Sequence, residues 1–134
     1  MDLKKELGLK YDDLVKCDFI KDIDEILSED GLINIDLYDI KAVCNGEIIG
    51  TISTVIADPK EELKITRISD KEPNSCLLNV TSSMNMSIFD VDTIIKSLKK
   101  INPDLSIIYG TTINEAYDGK YKVQALLSYS EGLK

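Results

Sequence analysis

The fold is decided by the stretch "CLLNVTSSMNMSIFDVDTI", residues 76–94. It begins inside a short apolar run, residues 75–82, of the type found in buried strands. Ser87 and Asp90 follow at the spacing of a capping box, which marks the start of a helix. From residue 90 to residue 101 the apolar side chains recur in steps of three and four, as on one face of a helix. These side chains are Val91, Ile94, Ile95, Leu98 and Ile101. The stretch therefore predicts a buried strand that leads into an amphipathic helix.

Downstream of this helix the pattern indicates two more strands. Asn102-Pro103 ends the helix, because proline cannot continue one. Residues 105–112 form a second apolar run of the buried-strand type, and Asp118-Gly119 is a turn signal. Residues 120–129 form the longest predicted strand. Its apolar and polar residues alternate, which predicts that one of its faces is wetter than the other.

Upstream of the stretch, residues 47–57 are rich in β-branched side chains and end at Asp58-Pro59, which predicts another strand. Residues 62–69 alternate less regularly and are also interpreted as a strand. Met84 and Met86 are interpreted as flexible core side chains. Together these elements predict an α+β (α/β-like) domain with a single mixed sheet of four to five strands, packed by two main helices.

The second main helix is predicted near the N-terminus. Residues 11–31 carry an amphipathic pattern that stops at Gly31. The next stretch, "GLINIDLYDIKAV", residues 31–43, allows two interpretations. Asp36 can cap a short helix that ends at Asn45-Gly46, or Asn45-Gly46 can be the turn of a hairpin. Three polar side chains in this apolar stretch could contact a substrate, namely Asn34, Asp36 and Asp39.

Composition excludes several classes of protein. At 134 residues the chain is one domain by length, and its net charge is −8 with no basic cluster longer than a lysine pair. This charge argues against nucleic acids and anionic membranes as partners. No window of about 18 residues is apolar enough to span a membrane, and the N-terminus lacks the apolar stretch of a signal peptide. We therefore expect a soluble, cytoplasmic protein.

The side chains available for catalysis are few. There is no histidine, so no Ser-His or Cys-His pair can form. The three cysteines, Cys17, Cys44 and Cys76, are far apart and form no CxxC pair, which argues against a zinc site and predicts buried thiols. No glycine-rich phosphate loop is present, so we expect no nucleotide or other cofactor to be bound by this chain alone.

Three stretches resemble the FtsZ family, whose members are relatives of tubulin. Residues 31–43 resemble the family loop that reads roughly GLIN-[VL]-DFADVK. Residues 76–94 are similar to its vLvNITgg-x-dltLfEV run, and residues 102–128 resemble its IIfG…V-tvIAt ending. These matches follow the family order and cover about half of the chain. The resemblance implies that residues 1–30 are the end of the family's core helix and residues 31–134 its C-terminal domain.

The resemblance also implies a site shared between subunits. In the family, subunits stack head to tail, and the loop after the core helix meets the GTP held by the neighbouring subunit. Asn34, Asp36 and Asp39 stand in the loop positions that complete GTP hydrolysis. The implied partner is an FtsZ-like GTP-binding domain or filament subunit, and the chain is not a GTPase by itself. From the residues alone, ordinary capping groups at a helix start are the favoured interpretation of the two carboxylates, because this is the commoner use of such residues.

The chain departs from the family pattern in three places. The family has a helix between its first strand and the vLvN strand, where this chain carries a segment with strand character. Gly50 matches the first glycine of the family's ALMGIG-like strand, but Ile52 stands at the second. Ser82-Ser83 replace a Gly-Gly pair. Two alternatives therefore stay open: a free-standing protein that caps or regulates FtsZ filaments, and an α+β interaction domain unrelated to nucleotide.

Overall fold

A computed structural model describes residues 47–130 of the chain. These residues form five strands, one α-helix and a 3₁₀ turn. The elements are β1 (Glu47–Ile56), β2 (Thr66–Arg67), β3 (Ser75–Ser82), α1 (Ile88–Leu98), β4 (Ser106–Ile113), the 3₁₀ turn (Glu115–Tyr117) and β5 (Tyr121–Tyr129). Within residues 47–130, no helix is both long and apolar enough to cross a membrane.

The five strands form one mixed sheet in the order β2-β1-β5-β3-β4. β3 and β4 are parallel, and the other neighbours are antiparallel. Parallel neighbours need a crossover between them, and α1 provides it. The predicted α+β fold with a single mixed sheet is confirmed. Of the two predicted main helices, α1 is present, whereas the helix over residues 11–31 and the short helix that starts at Asp36 lie outside the described residues.

The main core lies between α1 and one face of the sheet. Val91, Ile94 and Leu98 of α1 are buried, which matches the stripe predicted from the sequence. All eight residues of β3 are buried as well. The sheet side chains that meet the helix are Ile52 and Ile56 of β1, Cys76, Leu78 and Val80 of β3, and Val123, Ala125 and Leu127 of β5.

The opposite face of the sheet is buried too, so the predicted wetter face of β5 is wrong. Gln124 and Ser128 are only 2% and 0% exposed. On this face of the central strand β5, Gln124 lies beside Asn79 of β3. Asn79 donates a hydrogen bond to the hydroxyl of Thr112 at 3.2 Å. Between residues 47 and 130, every buried side-chain nitrogen or oxygen has a hydrogen-bond partner. The alternating polar residues of β5 therefore mark buried side chains with hydrogen-bond partners and not a face exposed to water.

The strand predicted over residues 62–69 is much shorter in the structure, where only Thr66–Arg67 pairs with β1. On the other side of β1, the pairing with β5 shifts register between Ile48 and Gly50. The N–H groups of Ile68 and Ser69 both donate to the carbonyl of Ile49, at 2.7 and 3.2 Å. Because two successive amides share one carbonyl, the regular ladder does not continue past Arg67 and β2 has only two residues.

Candidate functional site

The site residues predicted from the sequence, Asn34, Asp36 and Asp39, lie outside the described residues. Their arrangement therefore stays a prediction. A second candidate surface is present within residues 47–130, and sequence analysis did not identify it.

This surface is a cluster of exposed apolar side chains between β3 and α1. Met84, Ile88 and Phe89 are 64%, 53% and 78% exposed. They lie within six consecutive residues, in the loop after β3 and the first turn of α1. Single exposed apolar residues are common on proteins, but a cluster of large ones marks an interaction surface. We call Met84, Ile88 and Phe89 the apolar patch.

The start of α1 fixes where these side chains lie. Ser87 adopts an extended backbone conformation with φ −91° and ψ 141°, and its hydroxyl accepts a hydrogen bond from the Phe89 N–H. The helix therefore begins at Ile88. Ile88 stands three residues before the buried Val91, on the same side of the helix, yet most of its side chain is exposed. The first turn thus presents apolar side chains that the core does not cover.

The prediction that both methionines are core side chains is wrong for one of them. Met86 is buried, whereas Met84 is the second most exposed residue of the apolar patch. The sequence places the two methionines in the same short loop and offers no periodicity to separate them. Their difference depends on how the loop is held.

The connection between β4 and β5, residues 114–120, holds this loop by hydrogen bonds. The Ser83 hydroxyl donates to the Asp118 carboxylate at 2.8 Å. The Met84 N–H donates to the Glu115 carboxylate at 3.0 Å. The Ser82 hydroxyl donates to backbone carbonyls of the same connection at 2.7 and 3.3 Å. Each contact joins segments that are more than 30 residues apart in sequence.

A further contact holds the first turn of α1. The Tyr121 hydroxyl, at the start of β5, donates to the Asp90 carboxylate at 2.5 Å. Partial burial of the phenol, this hydrogen bond and the nearby negative charge of Asp90 together raise the pKa of Tyr121 to about 12. The carboxylates of Asp90, Glu115 and Asp118 therefore accept hydrogen bonds from neighbouring segments beside the apolar patch, and they give its surroundings an acidic character.

A small groove at the C-terminal end of α1 is a weaker candidate. It has a volume of about 170 Å³ and is lined by Glu62, Leu63, Ser97, Lys100 and Ile101. Sites for small organic ligands usually measure about 300 Å³ or more. The groove is therefore too small for such a ligand, and the apolar patch remains the stronger candidate surface.

The fold defines the class of this chain as a small α+β domain whose mixed sheet is crossed once by a helix. The family model described as "FtsZ family, C-terminal domain" matches residues 51–129, which is more than half of the chain. The chain therefore belongs to the FtsZ family of cell-division and cytoskeletal proteins, and it carries the family's C-terminal domain.

Relatives of known name agree with this assignment. The cell division protein FtsZ of Haloferax mediterranei is 25% identical over 132 residues, which cover 90% of this chain and 35% of the relative. FtsZ 1 of Methanocaldococcus jannaschii is 22% identical and covers 92% of this chain and 37% of the relative. The chain thus spans little more than a third of the length of these relatives.

Solved structures share the fold at low sequence identity. The structure titled "FtsZ dimer, empty" from M. jannaschii has a TM-score of 0.57 and 22% identity, and covers 84% of this chain and 36% of that chain. CetZ from Methanosaeta thermophila has a TM-score of 0.55 and 18% identity, and covers 82% of this chain and 34% of that chain. These similarities establish the architecture of the domain.

Proposed function

We propose that this domain forms one half of a head-to-tail contact with an FtsZ-like subunit. The apolar patch docks on the GTP-binding domain of that subunit. The loop that carries Asn34, Asp36 and Asp39 meets the bound GTP and completes its hydrolysis. Family membership and the resemblance of residues 31–43 to the family loop support this assignment.

The exposed apolar patch is the observation that carries the proposal. Phe89 is the most exposed of its three side chains and lies in the first turn of a capped helix. Covering such a side chain contributes about 1.5–3 kcal/mol. Because the cap and the adjoining hydrogen bonds already order this turn, little conformational entropy is lost on docking. A protein partner is therefore the occupant that suits this surface.

The chemistry assigned to the loop follows from its acceptor groups. Ionised Asp36 and Asp39 can only accept hydrogen bonds. On the helix start that the sequence predicts, two residues three apart would share one side of the helix, where both could orient a water molecule. Positioning the nucleophile is a main protein contribution to phosphoryl transfer. The chain carries no phosphate-binding loop, so the GTP in this proposal is held by the partner.

The test adds this chain to full-length FtsZ 1 of M. jannaschii with GTP, at an FtsZ concentration too low for assembly. Phosphate release is measured against the concentration of added chain. We expect stimulation that saturates. Above the assembly threshold we expect less sedimented polymer, because the added chain offers one face of a head-to-tail contact and stacking stops there.

Two variants separate docking from chemistry. Phe89→Ala should raise the concentration needed for half-maximal stimulation roughly tenfold, since about 1.4 kcal/mol of contact energy is lost. Asp36→Ala combined with Asp39→Ala should remove the stimulation and leave binding unchanged. Val55→Ala, at an exposed residue of β1, is the matched control for loss of an apolar side chain.

Identical phosphate release and polymer with and without the chain would refute the proposal. Full stimulation by the variant lacking both aspartates would refute the role of the loop alone. An unchanged half-maximal concentration for Phe89→Ala would refute the role of the apolar patch.

A further inference from the structure

We infer that Glu115, Asp118 and Tyr121 act together as a clamp that sets the position of the apolar patch and thereby the strength of subunit docking. This inference rests on the proposed function. In that proposal, the three clamp side chains contact neither the GTP nor the loop that carries Asn34, Asp36 and Asp39. We assign them a positioning role.

The three contacts of the clamp bracket the apolar patch along the chain. Asp118 accepts from the Ser83 hydroxyl, one residue before Met84. Glu115 accepts from the backbone N–H of Met84 itself. Tyr121 donates to Asp90, one residue after Phe89. The segment that carries the patch is therefore held before, at and after its apolar side chains.

Burial changes abruptly along this segment. Ser83 is only 2% exposed, whereas the next residue, Met84, is 64% exposed. A buried, hydrogen-bonded anchor thus stands directly beside an exposed apolar side chain. The loop of residues 83–87 lies beyond the end of β3, so the sheet ladder does not fix it. Two bonds within the loop, from the Met86 and Asn85 N–H groups to Ser83, and the side-chain contacts from residues 114–121 hold it instead.

The clamp preorganises the loop of residues 83–87 for docking. Fixing the backbone of a single residue costs about 1–2 kcal/mol of conformational entropy. If the loop were free before docking, the contact would have to offset this cost for several residues, and affinity would fall. The Glu115 contact is exposed and the Asp118 contact is part-buried, and hydrogen bonds of this kind contribute about 0.5–1.5 kcal/mol each to global stability. Loss of these two carboxylates should therefore weaken docking while the chain stays folded.

The Ser83 hydroxyl, which donates to Asp118 of the clamp, departs from the family pattern described above. Ser82-Ser83 stand where the family pattern has Gly-Gly. Glycine has no side chain to donate to Asp118 or to the carbonyls of residues 117 and 120. The Ser83→Gly change restores the family residue and removes two bonds, the one to Asp118 and the one that the Ser83 hydroxyl accepts from the Asn85 N–H at 3.2 Å.

The experiment is a double-mutant cycle on the full chain, with docking to M. jannaschii FtsZ 1 and GTP measured by the same phosphate-release titration. The clamp variant combines Glu115→Ala with Asp118→Ala, and it is made with and without Phe89→Ala. Asp70→Ala combined with Asp104→Ala removes the same charge at two exposed sites and serves as the control. Ser83→Gly is a second, milder clamp variant.

We expect the clamp variant to raise the half-maximal concentration roughly tenfold when Phe89 is present and to have almost no effect when Phe89 is alanine, because contacting groups couple in such cycles. Amide hydrogens of residues 84–90 should exchange faster, while the circular dichroism spectrum shows that the chain stays folded. Ser83→Gly should shift docking in the same direction by a smaller factor.

An equal loss of docking in both backgrounds would overturn the inference, because the carboxylates would then contact the partner directly. Unchanged docking in the clamp variants, with Phe89→Ala still weakened, would also overturn it and leave the proposed function standing. Unchanged docking of Phe89→Ala would instead refute the role of the patch in the proposed function.

Discussion

At the scale of a single residue, Asp90 bonds to a distant side chain, whereas the local sequence pattern predicts a bond within its own helix turn. Ser87 and Asp90 have the spacing of a capping box, in which the acidic side chain accepts from the backbone of the cap residue. Ser87 caps the helix through a different amide, since its hydroxyl accepts from the Phe89 N–H at 3.1 Å. The Asp90 carboxylate accepts from the Tyr121 hydroxyl, 31 residues away. This bond is charge-assisted, so it is stronger than a hydrogen bond between neutral groups.

Tyr121→Phe tests this contact. We expect the free energy of unfolding at pH 7 to fall by about 1 kcal/mol, near the lower end for hydrogen bonds to charged groups, because the pair is only partly buried. The measurement is equilibrium denaturation with urea. Lys122→Met, at the next residue of β5, controls for a nearby substitution that leaves the Tyr121–Asp90 pair intact.

The same contact predicts a pH dependence. The pKa of Tyr121 is raised from 10.0 to about 12, first by desolvation and then by Asp90. A raised pKa favours the neutral phenol in the folded state, so this stabilisation is fully present below pH 10 and is lost as the pH rises towards 12. Tyr121→Phe should lose less stability than the wild type in this window. Parallel pH curves for the two proteins would contradict the assignment.

At the scale of elements, the edge of the sheet depends on the glycine of β1. A Cβ atom at Gly50 would lie 2.5 Å from the Thr66 carbonyl oxygen and 2.9 Å from the Ile65 side chain. β2 can therefore pair with β1 only because residue 50 has no side chain. This close approach gives Gly50 of β1 a structural role, because it admits β2, and β2 lies in the following segment, where the family pattern has a helix.

Gly50→Ala should push β2 away from β1. We expect a loss of about 1–3 kcal/mol in the free energy of unfolding, the usual cost of forcing an added carbon into a packed site. Hydrogen exchange should rise at Ile68 and Ser69, whose amides bond to Ile49. Ser53→Ala, at an exposed position of β1, should change neither quantity. Unaltered protection at Ile68 in Gly50→Ala would show that β2 tolerates the added side chain.

For the whole molecule, Cys76 reports whether the core opens as a unit. It lies in β3 at 0% exposure, inside the cluster formed by α1 and the sheet. Burial raises the pKa of its thiol from 9.0 to about 12. Only the thiolate reacts with disulfide reagents, so both access and chemistry protect this cysteine in the folded state.

We expect Cys76 to be labelled only through global unfolding. In a variant with Cys17→Ser and Cys44→Ser, the rate of labelling by a disulfide reagent should rise with urea along the same slope as equilibrium unfolding. Stability should also fall as the pH rises from 9 towards 12, because the folded state disfavours the thiolate. Labelling that is fast and independent of urea would show that β3 opens locally.

Sequence pattern predicted most of the described elements, for reasons that are local. Apolar runs and the three-to-four residue stripe predicted β3, α1, β4 and β5 to within about three residues, because strand and helix periods follow from backbone geometry. The polar alternation in β5 was misleading, since Gln124 is buried in the centre of the sheet. Polarity predicts a hydrogen bond, but the partner can be water or another side chain.

The sequence by itself determined the fold class, the start of α1 at its serine cap, and the resemblance to the FtsZ family, from which a role of Asn34, Asp36 and Asp39 in GTP hydrolysis stays a prediction. Only the tertiary structure decided that Met84 is exposed while Met86 is buried, and that Tyr121 holds Asp90. It also showed that Gly50 admits an edge strand. The physical reason is the separation along the sequence. Periods and caps depend on neighbours within about one turn, whereas the exposure of Met84, the Tyr121–Asp90 bond and the fit at Gly50 depend on segments that meet only after the sheet has formed.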